Sequence, residues 1–322
     1  MQPMVRRTAA RENGAAMTDI AVDAKAKSSV ATAYLLLVVT MLSWAGNAIV
    51  GRALAGVVPP FGMSLMRWTL AFVTVFPFVA GEILAKRAII LRRWRILLAL
   101  GLFGLGICNS LGYIGLQWTT ALNAALINSA GPMLTLAAAF LFYRERAAAT
   151  QIWGMLISLL GVLVIVLRGD LGALLALDFN RGDLAILAGV ATWAVYTVML
   201  RHRPPELSPL ALLGVLFAVG AVTVLPFHLA ESAFGYPLPA TAPAVLGYLY
   251  VGLFPAVIAF FGWNRGVAVL GANRASLFSH LIPLFSALLA FALLREGIEL
   301  YHFAGAALIF LGIFLANRAA RG

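Results

Sequence analysis

Apolar runs of helical length, parted by short polar breaks, fill the chain from Ala33 almost to its end. A membrane-spanning helix needs about 20 predominantly apolar residues. Ten such runs can be placed: 33–51, 62–81, 95–115, 121–142, 149–167, 183–200, 209–229, 243–263, 272–294 and 301–317. The roughly ten-residue alternating segments of an outer-membrane barrel are not evident. The largest breaks are 82–94, rich in Lys and Arg, and 168–182, which holds Gly169, Asp170, Asp178 and Arg181. Residues 1–32 are polar, small and mildly basic, and are predicted to form a disordered cytoplasmic tail. No cleavable signal peptide is expected, because the first apolar run is already long enough to span.

Composition turns this pattern into a class. Of 322 residues, 62% are hydrophobic and 11% charged, against about 25% charged in a soluble globular chain. Mean hydropathy is +0.96. No soluble fold of this size hides so much apolar sequence, so the expectation is an all-α polytopic membrane protein. The single cysteine, Cys108, excludes an internal disulfide and any multi-cysteine zinc site. The net charge of +11 does not point to nucleic acid, because the cations lie in short loops and tails, where they meet anionic lipid and set topology. With the N-terminus inside, eighteen Lys and Arg residues fall on the inner side and five (Arg52, Arg67, Arg168, Arg181, Arg295) on the outer. Both termini are therefore expected in the cytoplasm, which requires an even number of spans.

The chain also repeats itself. Residues 128–145 and 279–296 are each an apolar helix with a proline in the first half and Arg-Glu at the end; Pro132/Pro283, Arg144/Arg295 and Glu145/Glu296 are all 151 apart. At an offset of 149, Trp44 matches Trp193, Arg52 matches Arg201, Pro60 matches Pro209, and Pro77-Phe78 matches Pro226-Phe227. At 151, Gly101 matches Gly252, Gly154 matches Gly305 and Gly161 matches Gly312. The halves are then 33–168 and 182–319, with five spans each. Five is odd, so the second half enters the membrane from the opposite side. The result is ten transmembrane helices in a 5+5 inverted-topology repeat, an arrangement that places a substrate site near the midplane between the halves. One chain already supplies both halves, so a monomer is expected to suffice.

On these residues (the duplicated five-span unit, a Trp in helices 1 and 6, the paired Pro…Arg-Glu helices) the chain resembles the drug/metabolite transporter superfamily, more narrowly its EamA-type members, and among them the YddG-type bacterial aromatic amino-acid exporters. The resemblance covers residues 33–319. It implies a multi-pass transporter of the bacterial inner membrane, with helices 1–4 and 6–9 around a central cavity and helices 5 and 10 as peripheral support.

Candidate site residues follow from the polar faces of the spans. Thr40, Ser43, Trp44, Asn47 and Gly51 share one face of helix 1, and Gly189, Thr192, Trp193 and Tyr196 share the equivalent face of helix 6. Each face carries aromatics with a polar handle, suited to an apolar cavity with a few hydrogen-bonding groups; helix packing is the competing role for such residues. On helix 3, Gly101, Gly104, Cys108, Gly112 and Gly115 form a small-residue packing stripe, while Asn109, Ser110, Tyr113 and Gln117 lie on another side. Pro132 and Pro283 remove a backbone hydrogen bond each and are candidate hinges, which brings Asn128, Ser279 and His280 beside them forward as substrate contacts. His280 is the titratable residue nearest a bilayer midplane; a neutral, hydrogen-bonded ring is expected over a proton relay. Trp263 and Asn264 are weaker candidates, with an interfacial anchor as the alternative. Arg67 could hold a substrate carboxylate, but snorkelling to lipid phosphate is expected.

No HExxH, GxSxG, Walker loop or paired intramembrane aspartates occur, so neither an enzyme, a metal site nor a cofactor is expected, and the chain carries no nucleotide-binding domain of its own. All twelve carboxylates lie in tails, loops or near span ends, which disfavours a proton antiporter built on a buried glutamate. The reading is a secondary transporter exporting small, mostly apolar neutral or zwitterionic metabolites, aromatic and hydrophobic amino acids foremost, by alternating access. A broad exporter of drugs or cationic compounds is the alternative within the class, and a non-transporting membrane receptor or scaffold the alternative outside it.

Overall fold

The computed structural model describes residues 29–119, 121–170, 172, 180–294 and 299–318, and every regular element among them is helical. Apart from a short turn of helix, Arg87–Arg92, that links the second to the third, the helices in chain order are α1 (Ser29–Ala53), α2 (Pro60–Ala85), α3 (Trp94–Trp118), α4 (Ala121–Ser129 and Gly131–Tyr143), α5 (Ala149–Val166), α6 (Arg181–His202), α7 (Pro209–Ala233), α8 (Ala242–Leu270), α9 (Ala272–Leu277, Phe278–His280 and Leu281–Leu294) and α10 (Leu300–Arg318). Nine of these, all but α9, are long and apolar enough to cross a membrane among the described residues. Large apolar side chains such as Leu35, Phe78, Leu141 and Phe314 are exposed along them, which suits contact with lipid rather than water.

Three expectations change. Residues 29–32 are not tail: they form the first turn of α1, because Val30 and Ala33 already pack against the core. Helix α8 continues past 263 to Leu270, where Gly271 at φ 84° ends it in a backbone conformation suited to glycine. The run 272–294 is not one continuous helix. A 3₁₀ turn at Phe278–His280 separates two α segments, because Pro283 has no N–H to give and its ring clashes with the carbonyl four residues back. Pro132 has the same effect in α4, where the helix pauses at Ala130. Residues 295–296, the second Arg-Glu pair, lie outside the described residues. The first pair closes α4: Arg144 takes a left-handed conformation (φ 54°) and Glu145 pairs with Arg201.

The repeat is visible in local detail. Helix α3 loosens into a π-helical stretch at Leu102–Ile107, and α8 does so at the matching place, Gly252–Ile258. Such bulges free backbone carbonyls and recur at functional sites. The small-residue stripe of α3 packs on α6 and α7. A Cβ on Gly104 would overlap the Tyr196 ring, and one on Gly101 the Val219 side chain.

Two pairs of equivalent helices pack on each other reciprocally. Gly154 of α5 faces Gly312 of α10, and Gly161 faces Gly305, so the two helices run antiparallel; a Cβ on Gly154 or Gly161 would meet backbone oxygen at 2.5 and 2.6 Å. In α2 and α7, each helix end carries a glutamate that caps the start of the other. Glu82 accepts from the Ser208 backbone N–H at 2.8 Å and from its hydroxyl. Glu231 accepts from the N–H groups of Phe61 and Gly62 at 3.0 and 2.9 Å. Both place a carboxylate on the partly positive N-terminus of a helix. Phe61 and Phe227 stack between these helices, 5.1 Å apart.

Candidate functional site

Four helices bring aromatic rings to one buried centre. Trp44 of α1 packs edge-on to Trp193 of α6, ring centroids 5.1 Å apart. Trp263 of α8 lies 5.3 Å from Trp44 and 5.2 Å from Trp193, closing a triangle of indoles. Phe260 packs beside them, with Trp193 at 5.5 Å and Trp68 of α2 at 5.2 Å. Tyr196, one turn from Trp193, donates its hydroxyl to Asn264 Oδ1 at 2.7 Å. Each such ring pair is worth about 0.5–1.5 kcal/mol beyond the area it buries. Close helix approach makes the cluster possible: Gly262 leaves room for Thr40, whose hydroxyl bonds the Ala259 carbonyl at 3.1 Å.

Next to the rings lies a buried cation. Arg67 of α2 is 1% exposed and does not reach lipid phosphate; the expectation of snorkelling is corrected. Position explains why, since the residue sits on the face of α2 turned to α1, α3 and α8. Its guanidinium donates to Asn47 Oδ1 at 3.1 Å, the Tyr113 hydroxyl at 3.2 Å and the Pro255 carbonyl at 2.9 Å. The same carbonyl, in the π-helical stretch of α8, accepts from Trp44 Nε1 at 3.1 Å. Tyr113 in turn donates to Asn47 at 3.0 Å. The Arg67 charge lies 4.8 Å over the Trp68 ring. Among the described residues no carboxylate pairs with it. An unpaired buried charge costs several kcal/mol in desolvation, here offset only by neutral acceptors and ring faces.

Of the residues singled out from sequence, Trp44, Asn47, Tyr113, Trp193 and Tyr196 meet at this centre. Asn109 does not reach it: its amide returns to the Gly104 carbonyl of its own helix at 3.2 Å. Asn128 is exposed and bonds the Ala124 carbonyl of its own helix, and Ser279 bonds the Ser276 carbonyl. His280 occupies a second location, where the breaks of α4 and α9 meet. Its Nε2 donates to the Ser129 carbonyl at 3.1 Å, and Nδ1 lies 2.8 Å from the Ser158 hydroxyl of α5. A carbonyl can only accept, so Nε2 carries a proton, and a neutral ring takes the Ser158 hydrogen at Nδ1. Pro132 and Pro283 flank this junction.

Trp68, Phe260 and Pro255 carry no mark in the sequence that sets them apart, Trp263 stands there as a weaker candidate, and Arg67 as a residue expected to snorkel. Arg67 carried a usable signal, since a charge well inside a span marks a site by default. Trp68 and Phe260 carried none, being two aromatics among many. Among the described residues no cluster of His, Cys, Asp and Glu is placed to hold a metal.

A lipid-facing helix bundle with two related halves converging on one buried aromatic and cationic centre defines a multi-pass membrane transport protein. Residues 31–167 and 180–318 each match the EamA-like transporter family, and the chain belongs to that family, a branch of the drug/metabolite transporters. It is similar to the uncharacterized transporters YyaM and YetK of Bacillus subtilis, at 29% identity in each case, over 70% and 88% of this chain and 73% and 86% of theirs. It is 27% identical to a probable terminal-alkyne amino-acid exporter of Streptantibioticus cattleyicolor, over 89% of this chain and 93% of that one. A solved crystal structure shares the fold, with a TM-score of 0.71 at 22% identity, covering 92% of this chain and 98% of that one.

Proposed function

We propose that this transporter exports small metabolites with an apolar body, aromatic and hydrophobic amino acids foremost, across the bacterial inner membrane by alternating access. The observation that carries this reading is the triangle of Trp44, Trp193 and Trp263, drawn from both halves, with Trp263 buried and the other two half-buried beside it. Indole faces suit an apolar or aromatic substrate body, and the polar groups beside them suit its charged end. The similarity to a probable terminal-alkyne amino-acid exporter supports amino acids as the substrate class. Cationic drugs fit poorly, because the Arg67 guanidinium repels a positive centre.

In this reading the halves are inverted, both termini are cytoplasmic and one chain is the working unit. Reciprocal contacts support the inversion. Gly154 meets Gly312 while its counterpart Gly305 meets Gly161, and Glu82 and Glu231, 149 residues apart, cap each other's helix starts. A two-fold axis in the membrane plane generates this pattern. Substrate would pass between the halves as α1–α4 and α6–α9 rock, with the proline breaks of α4 and α9 taking up the bend.

Purified protein in liposomes tests the proposal. Uptake of labelled L-tryptophan down its gradient is expected, reduced at least about tenfold by Trp44→Ala or Trp193→Ala. Failure of every proteinogenic amino acid to move would sink it and favour a receptor or scaffold.

A further inference from the structure

We propose that Arg67 is the carboxylate anchor of the central site, so that the substrate is an aromatic monocarboxylate, an amino acid or its deaminated analogue. The inference rests on the reading of the indole cluster as the substrate site and names the group that would fix the substrate's polar end.

Donors outnumber acceptors at the centre. Arg67 Nε, Trp68 Nε1, Trp263 Nε1 and the Asn264 amide nitrogen are buried there with no hydrogen-bond partner among the described residues. All four are donors. Buried polar groups are nearly always paired, and an unpaired donor costs the full loss of its hydration. A surplus of donors around one permanent cation asks for a ligand rich in acceptors and negatively charged. A carboxylate meets both demands, because it accepts two parallel hydrogen bonds from a guanidinium fork.

Position favours the same group. Arg67 and Trp44 share the Pro255 carbonyl, so a carboxylate on the guanidinium directs its attached ring toward the indoles. Asn47 Oδ1, the Tyr113 hydroxyl and the Pro255 carbonyl, which now accept from Arg67, are the acceptors available to an ammonium group once the carboxylate has taken over the guanidinium. The rings pack on one another, so substrate enters by parting them.

Calorimetric titration of the purified full chain tests the assignment with L-tryptophan, indole-3-propionate and tryptamine. Wild type should bind L-tryptophan about ten- to a hundredfold more tightly than tryptamine, which lacks the carboxylate. Arg67→Gln should bring that ratio close to one, and Arg67→Lys should keep part of it. Trp44→Ala should weaken every ligand alike, and so reports on the aromatic site separately. Indole-3-propionate binding well while L-tryptophan does not would keep the anchor and make the substrate a simple acid. Equal binding of L-tryptophan and tryptamine to wild type would overturn the anchor while leaving the aromatic site standing. So would an unchanged ratio in a folded Arg67→Gln protein. Wild type binding none of the three would remove the site reading and the anchor with it. The wild-type ratio decides even if the glutamine variant does not fold.

Discussion

Tyr196 donates its hydroxyl to Asn264 in a place that solvent does not reach. Tyr196→Phe leaves the Asn264 oxygen unpaired beside an already unpaired amide nitrogen, and should destabilise the protein by about 1–3 kcal/mol, seen as a lower melting temperature in detergent. His280 makes a complementary prediction. With both ring nitrogens engaged by Ser129 and Ser158, it fastens the breaks of α4 and α9 to α5. His280→Ala should lower the melting temperature, yet leave unchanged the ratio of substrate flux with and without an imposed pH gradient. Loss of a pH-gradient stimulation in that variant would instead make the ring a proton relay. At this scale the sequence was informative where side chains share a helix face: Trp44 with Asn47, and Trp193 with Tyr196. It was least informative for Arg67. The choice between lipid and interior depends on Asn47, Tyr113 and Pro255, which arrive from three other helices.

Helix pairs are held by what glycine permits and by charge at helix ends. A Cβ on Gly161 would sit 2.6 Å from the backbone oxygen of Gly305, and backbone cannot turn aside as a side chain can. Gly161→Leu should therefore pry α5 from α10 and cost about 1–3 kcal/mol or more. Gly112, with no described atom within 4 Å of its added Cβ, should tolerate alanine and even gain up to about 1 kcal/mol from helix propensity; comparing the two melting temperatures checks both. Glu82→Gln and Glu231→Gln should each weaken a reciprocal cap by about 0.5–1 kcal/mol. In the proposed topology Glu82 holds the cytoplasmic ends of α2 and α7 together, and Glu231 the opposite ends. Cysteine labelling should accordingly rise at the cytoplasmic ends in the first variant and at the outer ends in the second. Span positions were legible because so many uninterrupted apolar runs of helical length can be solvated only by lipid. The break in α9 was half legible: Pro283 announces a kink, but the 3₁₀ turn before it lies where α9 meets the equivalent break in α4. The matched π-helical stretches left no periodic signal at all, since one extra residue per turn does not disturb an apolar run.

For the whole molecule, duplication was legible from residues that geometry cannot spare: paired prolines at helix starts and kinks, paired glycines at close contacts, paired tryptophans at the centre. The chemistry of the centre was less so, because it is assembled from α1, α2, α3, α6 and α8 at once, across both halves. The central claim is that this assembly carries aromatic amino acids through the membrane. The most direct test is uptake of labelled L-tryptophan by liposomes holding the purified wild-type protein. The predicted result is uptake well above empty liposomes, inhibited by unlabelled L-phenylalanine and L-tyrosine and abolished in the Trp44→Ala, Trp193→Ala double variant. Liposomes that take up no amino acid above the empty control, with the protein shown folded by its melting transition, would contradict it.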